Sequence, residues 1–158
     1  MNPPTSILLV EDDENDVTFL KRAFGKVEMT VPLQVVGNGR LAIDYLGGTG
    51  RFSDRTKHPA PTHLLLDLKL PEKSGFEVLQ WIRGVPALKD LRVAILTSSS
   101  EGPDLQRAKE LEADCYLVKP MSFAGLLDVA KAIDEWVRLG RTPSADALHP
   151  QRNPESVR

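Results

Sequence analysis

The sequence predicts an α/β domain built on a doubly wound sheet of five parallel strands. Three observations lead there. Five short apolar runs, rich in β-branched residues, recur along the chain, and segments with helical spacing of apolar residues lie between them. The runs are apolar on both faces, which suits strands covered by helices on either side. A βα unit repeated five times then argues for a doubly wound sheet. With 158 residues, the chain is long enough for one domain that buries roughly 70% of its unfolded surface, and too short to promise two.

The elements follow in order. "SILLV" (6–10) is the first strand, and Asp16 to Phe24 carries Val17, Phe19, Leu20, Ala23 and Phe24 as a helical stripe, with Gly25 where that helix would stop. "LQVV" (33–36) is the second strand, followed by a helix over Leu41 to Leu46. The stretch "GGTGRFSDRTKHPAPTH" (47–63) is rich in Gly, Pro and polar residues and reads as a long surface loop. "HLLLD" (63–67), "RVAILT" (92–97) and "CYLV" (115–118) complete the strands, with helical patterns over Phe76 to Ile82, Leu105 to Leu111 and Ser122 to Leu139. The last stretch, 140–158, lacks periodic apolar residues and reads as a flexible tail, which leaves 5–139 as the domain.

Composition excludes several classes. Twenty basic residues nearly balance 22 acidic ones, so nothing at whole-chain level announces nucleic acid or anionic lipid as a partner. No stretch approaches the length of a membrane span, and "MNPPTS" does not open a secretory leader. The lone Cys115 rules out an intrachain disulfide, fits a reducing compartment and reads as a small core residue. A cytoplasmic protein is expected.

Right-handed crossovers bring all five strand carboxyl ends to one edge, where such sheets bind ligands. Glu11 and Asp12 follow the first strand, Asp67 closes the third, Thr97 ends the fourth and Lys119 follows the fifth. Carboxylates about 4 Å apart repel by some 4 kcal/mol per pair at an effective dielectric near 20, so a positive charge should offset them. A hard divalent cation, Mg²⁺ above all, takes one or two carboxylates and keeps waters that a phosphate can displace. Asp12 and Asp67 would be direct ligands, Glu11 would act through water, and the backbone carbonyl of Lys69 would add another oxygen. The plainer reading of acids at such a junction is that they start a helix, and it suits Asp13 as N-cap with Glu14 and Asp16 in the first turn. It does not account for Glu11, or for Asp67 on another strand.

A carboxylate with a metal and a cation beside it can accept a phosphoryl group. Asp67 would be that nucleophile, Lys119 the cation for a phosphoryl oxygen, and Thr97 a hydroxyl donor to another. A Lys119–Pro120 peptide in the cis form would turn Lys119 back across the site.

The motifs "LLVED" (8–12), "LLLDLKLPEKSG" (64–75), "AILTSSS" (94–100) and "DCYLVKP" (114–120) resemble, in order and spacing, those of response-regulator receiver domains of bacterial two-component signalling. The resemblance spans about residues 5 to 139. It implies the flavodoxin-like strand order 2-1-3-4-5, Asp67 as the phosphorylated aspartate, and Glu11 and Asp12 as the acidic pair for Mg²⁺. It further implies Thr97 as the hydroxyl switch residue, Lys119 as the phosphate-binding lysine and Tyr116 as the aromatic whose rotamer reports activation. The implied partner is a sensor histidine kinase. The long 47–63 connection, "LLDLKLPEKSGFEVL" and "IDEWVRLGRTP" are similar to the stand-alone regulators paired with bacterial and cyanobacterial phytochromes. Two positions depart from the usual pattern: Glu11 stands where an Asp is common, and Cys115 where a small residue is usual. Lys69 and Ser99 lie where family members tune phosphate lifetime.

Phosphorylation would then draw Thr97 inward, let Tyr116 fill the space it vacates, and shift the surface formed by the fourth and fifth helices and the fifth strand. On the last helix, Leu126, Ala130, Ile133 and Val137 can face the core, and Phe123, Val129 and Trp136 form part of a second apolar face that suits either packing at the edge of the core or a homodimer. The rivals are a haloacid-dehalogenase-like phosphohydrolase, a flavin-binding electron carrier and a degenerate receiver that only binds. The first lacks the acid expected two residues after its nucleophile, where Lys69 stands. The second would need a phosphate cradle where Glu11 and Asp12 repel one. The third is disfavoured because every key position is filled.

Overall fold

A computed structural model of the chain describes residues 4–143. Of the tail expected at 140–158, residues 144–158 lie outside the described residues. Five strands, β1 (Ile7–Val10), β2 (Leu33–Val36), β3 (His63–Leu66), β4 (Arg92–Thr97) and β5 (Cys115–Val118), alternate with α1 (Glu14–Lys26), α2 (Gly39–Gly47), α3 (Gly75–Arg83), α4 (Gly102–Glu110) and α5 (Phe123–Leu139). All strand pairs are parallel and the sheet order is β2-β1-β3-β4-β5. This is the flavodoxin-like receiver topology that the resemblance implied.

Alternation along the strands divides the core in two. Leu8, Val10, Leu64, Leu66, Val93 and Ile95 point to one face, where α2, α3 and Ala108 of α4 cover them. Ile7, Leu9, Leu65, Ala94, Leu96 and Leu117 point to the other, beneath α1 and α5. A strand with helices on both faces has no wet side, which is why β1, β3 and β4 read as unbroken apolar runs.

Side chains start three of the helices, the first of them at the Asp13 cap that the sequence suggested. Asp13 caps α1 by accepting from the amides of Asn15 and Asp16, Asn38 caps α2, and Ser74 with Glu77 forms a capping box on α3. Gly140 closes α5 in the left-handed conformation, with φ of 74°.

Four expectations are corrected. Gly25 does not stop the first helix: α1 runs through it to Lys26, with Val27 as C-cap. Phe19 is not part of the buried stripe but is 46% exposed. Val129 and Trp136 do not form an outer face on α5. Both are 1% exposed and belong to the core beneath α1 and α5, Trp136 meeting the His63 ring edge-on at 4.7 Å. Of that expected apolar face only Phe123 reaches solvent. Finally, the 47–63 connection is more than a surface loop. It forms a 3-10 turn over Gly50–Phe52, buries Phe52 against Tyr45, and is tied by the Tyr45 hydroxyl donating to the Pro59 carbonyl at 3.0 Å.

Cys115 is half-buried against the same core as Trp136, and burial pushes its thiol up to about 12, so it is an inert packing group.

Candidate functional site at the strand carboxyl ends

The sheet's hydrogen-bond ladder continues one residue past several strand ends, and this places the site. The Glu11 amide donates to the Val36 carbonyl at 3.1 Å, the Asp67 amide to the Val10 carbonyl at 3.2 Å, and the Lys119 amide to the Thr97 carbonyl at 2.7 Å. These residues therefore inherit the rigidity of the sheet while their side chains leave its edge. Gly75 adds a second constraint. A Cβ there would stand 2.2 Å from the Asp67 carbonyl oxygen and 2.7 Å from the Leu68 Cα, so only glycine lets α3 begin this close behind Asp67.

Glu11, Asp12 and Asp67 each offer one carboxylate oxygen within 4.8 Å of the others. Glu11 and Asp67 are buried and Asp12 is exposed. Three hard oxygens of this charge and spacing suit a divalent cation that also keeps water ligands. Asp67 is further held by the Lys69 amide, which donates to its Oδ1 at 3.2 Å.

Lys119 supplies the positive charge. Its Nζ donates to Glu11 Oε2 at 2.5 Å, to Asp67 Oδ2 at 2.9 Å and to Asp16 Oδ2 at 2.9 Å. Burial alone would depress this ammonium, but the carboxylates that accept from it, Glu11 foremost, hold it above the ordinary lysine range. Burial pushes the Glu11 carboxyl up to about 7, against the opposing pull of the Lys119 and Asp13 hydrogen bonds. With four carboxylates facing one ammonium, the ionised site carries a formal excess of three negative charges.

Thr97 is fully buried at the end of β4, its Oγ1 accepting from the Ser99 amide at 3.4 Å. Ser99 in turn donates from its hydroxyl to Asp104 Oδ2 at 2.5 Å and accepts the Tyr116 hydroxyl on its carbonyl at 2.8 Å. Thr97 and Tyr116 thus meet through one residue of the β4–α4 connection. Ser98 is exposed beside Thr97. The Lys119–Pro120 peptide is trans, and Lys119 reaches the site through its own side chain rather than through a turned peptide.

The sequence placed Glu11, Asp12, Asp67, Thr97 and Lys119 at one edge, and they converge there. It missed what Asp16 does. Asp16 lies in the first turn of α1, as expected for an acid at a helix start, yet its carboxylate turns to Lys119. Helical spacing offered no signal for it, since Asp12 and the Asp13 cap precede α1 and only Asp16 lies within it.

Residues 7–131 match the family described as response regulator receiver domain. The chain is 36% identical over 141 residues to a probable methanogenesis regulatory protein, FilR2, of Methanothrix harundinacea, covering 89% of this chain and 88% of that protein. It is 33% identical over 145 residues to response regulator Rcp1 of Synechocystis, covering 91% and 97% respectively. The solved structure of the Mn²⁺-bound form of Rcp1 superposes with a TM-score of 0.79 over 89% of this chain and all of that one, at 32% identity. The phosphorylated cyanobacterial phytochrome response regulator RcpA does so with the same TM-score at 30% identity, over 89% and 99%. With the topology, the acid cluster and the lysine that binds it, this kinship establishes that the chain belongs to the response regulator receiver domains of two-component signalling.

Proposed function

We propose that the protein accepts a phosphoryl group from a histidine kinase onto Asp67, with Mg²⁺, and that this switches a protein-binding surface. The single observation that carries the reading is the Lys119 ammonium 2.9 Å from Asp67 Oδ2, in a site where Asp67 shares a 4.8 Å cluster with Glu11 and Asp12. In the transfer, the N–P bond of the kinase phosphohistidine breaks, a bond forms between a carboxylate oxygen of Asp67 and phosphorus, and the imidazole nitrogen keeps the electron pair. Later a water oxygen attacks phosphorus and the Asp67 carboxylate leaves, releasing orthophosphate. Bound at Glu11, Asp12, Asp67 and the Lys69 carbonyl, Mg²⁺ would neutralise phosphoryl oxygens. Lys119 and Thr97 hold the remaining oxygens, and Asp67 is positioned by the sheet ladder and by Gly75.

No reaction on another substrate belongs to this reading: the protein is a cytoplasmic switch rather than a metabolic enzyme, acting through protein contact and not on nucleic acid or membrane. Among the described residues no helix is long and apolar enough to cross a membrane. The Thr97–Ser99–Tyr116 linkage supports a route from Asp67 to the surface formed by α4, β5 and α5. The partner kinase is of the phytochrome class, supported by the likeness to RcpA. A homodimer through α4, β5 and α5 would rest on Leu105 and Phe123, each 37% exposed.

The test is intact mass after incubation with acetyl phosphate and Mg²⁺, for wild type, for Asp67→Asn and with a chelator. One labile phosphoryl group, absent from the variant and from the chelated sample, is expected. A folded, Mg²⁺-binding wild type that takes up no phosphoryl group, from acetyl phosphate or from a phytochrome kinase, would overturn the reading and favour a receiver that only binds.

A further inference from the structure

Two helices close on the loop that joins β3 to α3. At its near end Gly75 lets α3 start against the backbone of Asp67 and Leu68, and the Gly75 amide donates to the Leu68 carbonyl at 3.0 Å. At its far end the neighbour is α2. The Gly39 amide donates to the Pro71 carbonyl at 3.3 Å, and a Cβ on Gly39 would stand 2.7 Å from the Lys73 carbonyl carbon and closer still to its oxygen. Only Lys69 and Leu70 lie between the two anchored stretches.

The loop keeps a shape that its own residues do not favour. Glu72 holds φ at 69°, in the left-handed region that side chains resist. Such a conformation persists where the surrounding structure over-determines it, and Gly39 supplies a contact of that kind from outside the loop. If the contact grew by one methyl group, the loop would be the part to move. Gly39 is buried and α2 is set in the core by Ala42, Tyr45 and Leu46, whereas Lys69, Pro71, Glu72 and Lys73 are exposed.

On the function proposed above, on which this inference rests, the Lys69 carbonyl is a ligand of the cation. We infer that Gly39 is a positioning residue for that carbonyl: α2, on which none of the proposed ligands lies, sets where the oxygen stands and thereby how strongly the site prefers Mg²⁺ to Ca²⁺. The preference follows from what the two ions demand. Mg²⁺ requires near-ideal octahedral geometry with short bonds, while Ca²⁺ accepts more oxygens, in flexible arrangements and at longer distances. A slightly displaced ligand oxygen therefore costs Mg²⁺ more than Ca²⁺.

The test titrates Mg²⁺ and Ca²⁺ separately into the full chain by calorimetry, for wild type, Gly39→Ala, Gly37→Ala and Pro71→Gly, with circular dichroism to establish that each is folded. In Gly39→Ala the Mg²⁺ affinity is expected to fall about tenfold, as when a metal site loses outer support, and the Ca²⁺ affinity by less, so that the ratio drops. Gly37→Ala, whose Cβ would meet nothing within 4 Å, keeps the wild-type ratio. Pro71→Gly, at an exposed position, slackens the loop between the Gly39 contact and Lys69 and lowers the ratio by a smaller factor. It carries the test if Gly39→Ala does not fold. A merely structural role for Gly39 would weaken both cations in equal proportion. That result overturns the inference and leaves the proposed function standing, as does an unchanged Mg²⁺ affinity in a folded Gly39→Ala, an unchanged ratio in Pro71→Gly, or a ratio that drops equally in Gly37→Ala. A folded wild type that binds neither cation overturns the proposed function and this inference with it.

Discussion

Asp12 is the exposed member of a site with too much negative charge, and that fixes what its loss should do. Carboxylates at this spacing repel each other in the metal-free protein, and the repulsion is relieved only by Lys119 or by a cation. Asp12→Asn is expected to be more stable than wild type in chelator, by about 1 kcal/mol at low salt, and to lose the stabilisation that Mg²⁺ gives wild type through preferential binding to the folded state. Urea unfolding with and without Mg²⁺ measures both. A variant that still gained stability from Mg²⁺ would remove Asp12 from the metal set. His63, at the opposite end of the sheet, makes a different prediction. Burial and then the nearby Arg92 charge push its pKa below the ordinary value, with the ring 2.8 Å from Thr62 Oγ1 and edge-on to Trp136. A depressed folded-state pKa means that the unfolded chain binds the proton first. The stability His63 contributes is therefore present above its unfolded pKa of about 6.5 and is lost as pH falls through the folded value. Melting temperature should fall between pH 7.5 and 5.5, and by less in His63→Gln. An equal fall in both proteins would refute the assignment.

At the scale of elements, the close approach of α3 to β3 is decided by one missing methyl group. Gly75→Ala would press a Cβ into the Asp67 carbonyl, and because the obstacle is backbone, the helix or the strand end must move. The expected cost is about 1–3 kcal/mol or more, with phosphoryl uptake falling beyond what the loss of folded protein explains. Urea unfolding and acetyl phosphate labelling on the same sample separate the two effects. The sequence carried this turn in "LKLPEKSG", but a glycine after a serine looks like any other turn residue until its neighbour is known. The strands were legible to within a residue, since an apolar run bounded by polar residues is a local property. What was not legible depended on partners distant in sequence. Phe19 fits a helical stripe yet faces solvent, because α5 covers the neighbouring strip of α1 that carries Leu20, Ala23 and Phe24. Phe52 sits in a polar stretch yet finishes a core built by α2 and α3. The five site residues were readable because each lies at a strand end, whereas Asp16 was readable only as a helix-start acid.

For the whole molecule, the packing of α5 decides between two meanings of its second apolar stripe. Val129 and Trp136 sit within the core that also holds α1, so α5 is buried over much more of its circumference than a surface helix. Trp136→Ala is therefore expected to cost about 3–5 kcal/mol of stability, as large-to-small changes in a core do. Denaturant unfolding checks the cost and sedimentation checks assembly. A variant of near wild-type stability with a weakened dimer would return Trp136 to an interface.

The continuation of the sheet ladder into Glu11, Asp67 and Lys119 has a consequence for time. With their backbone amides anchored to neighbouring strands, these residues have only side-chain torsions left to change when a ligand arrives. Such torsions are a smaller rearrangement than that of a loop, whose motions take about nanoseconds to microseconds. On the proposed function, the making and breaking of a P–O bond would then set how long the signal lasts, with little backbone rearrangement of the site itself.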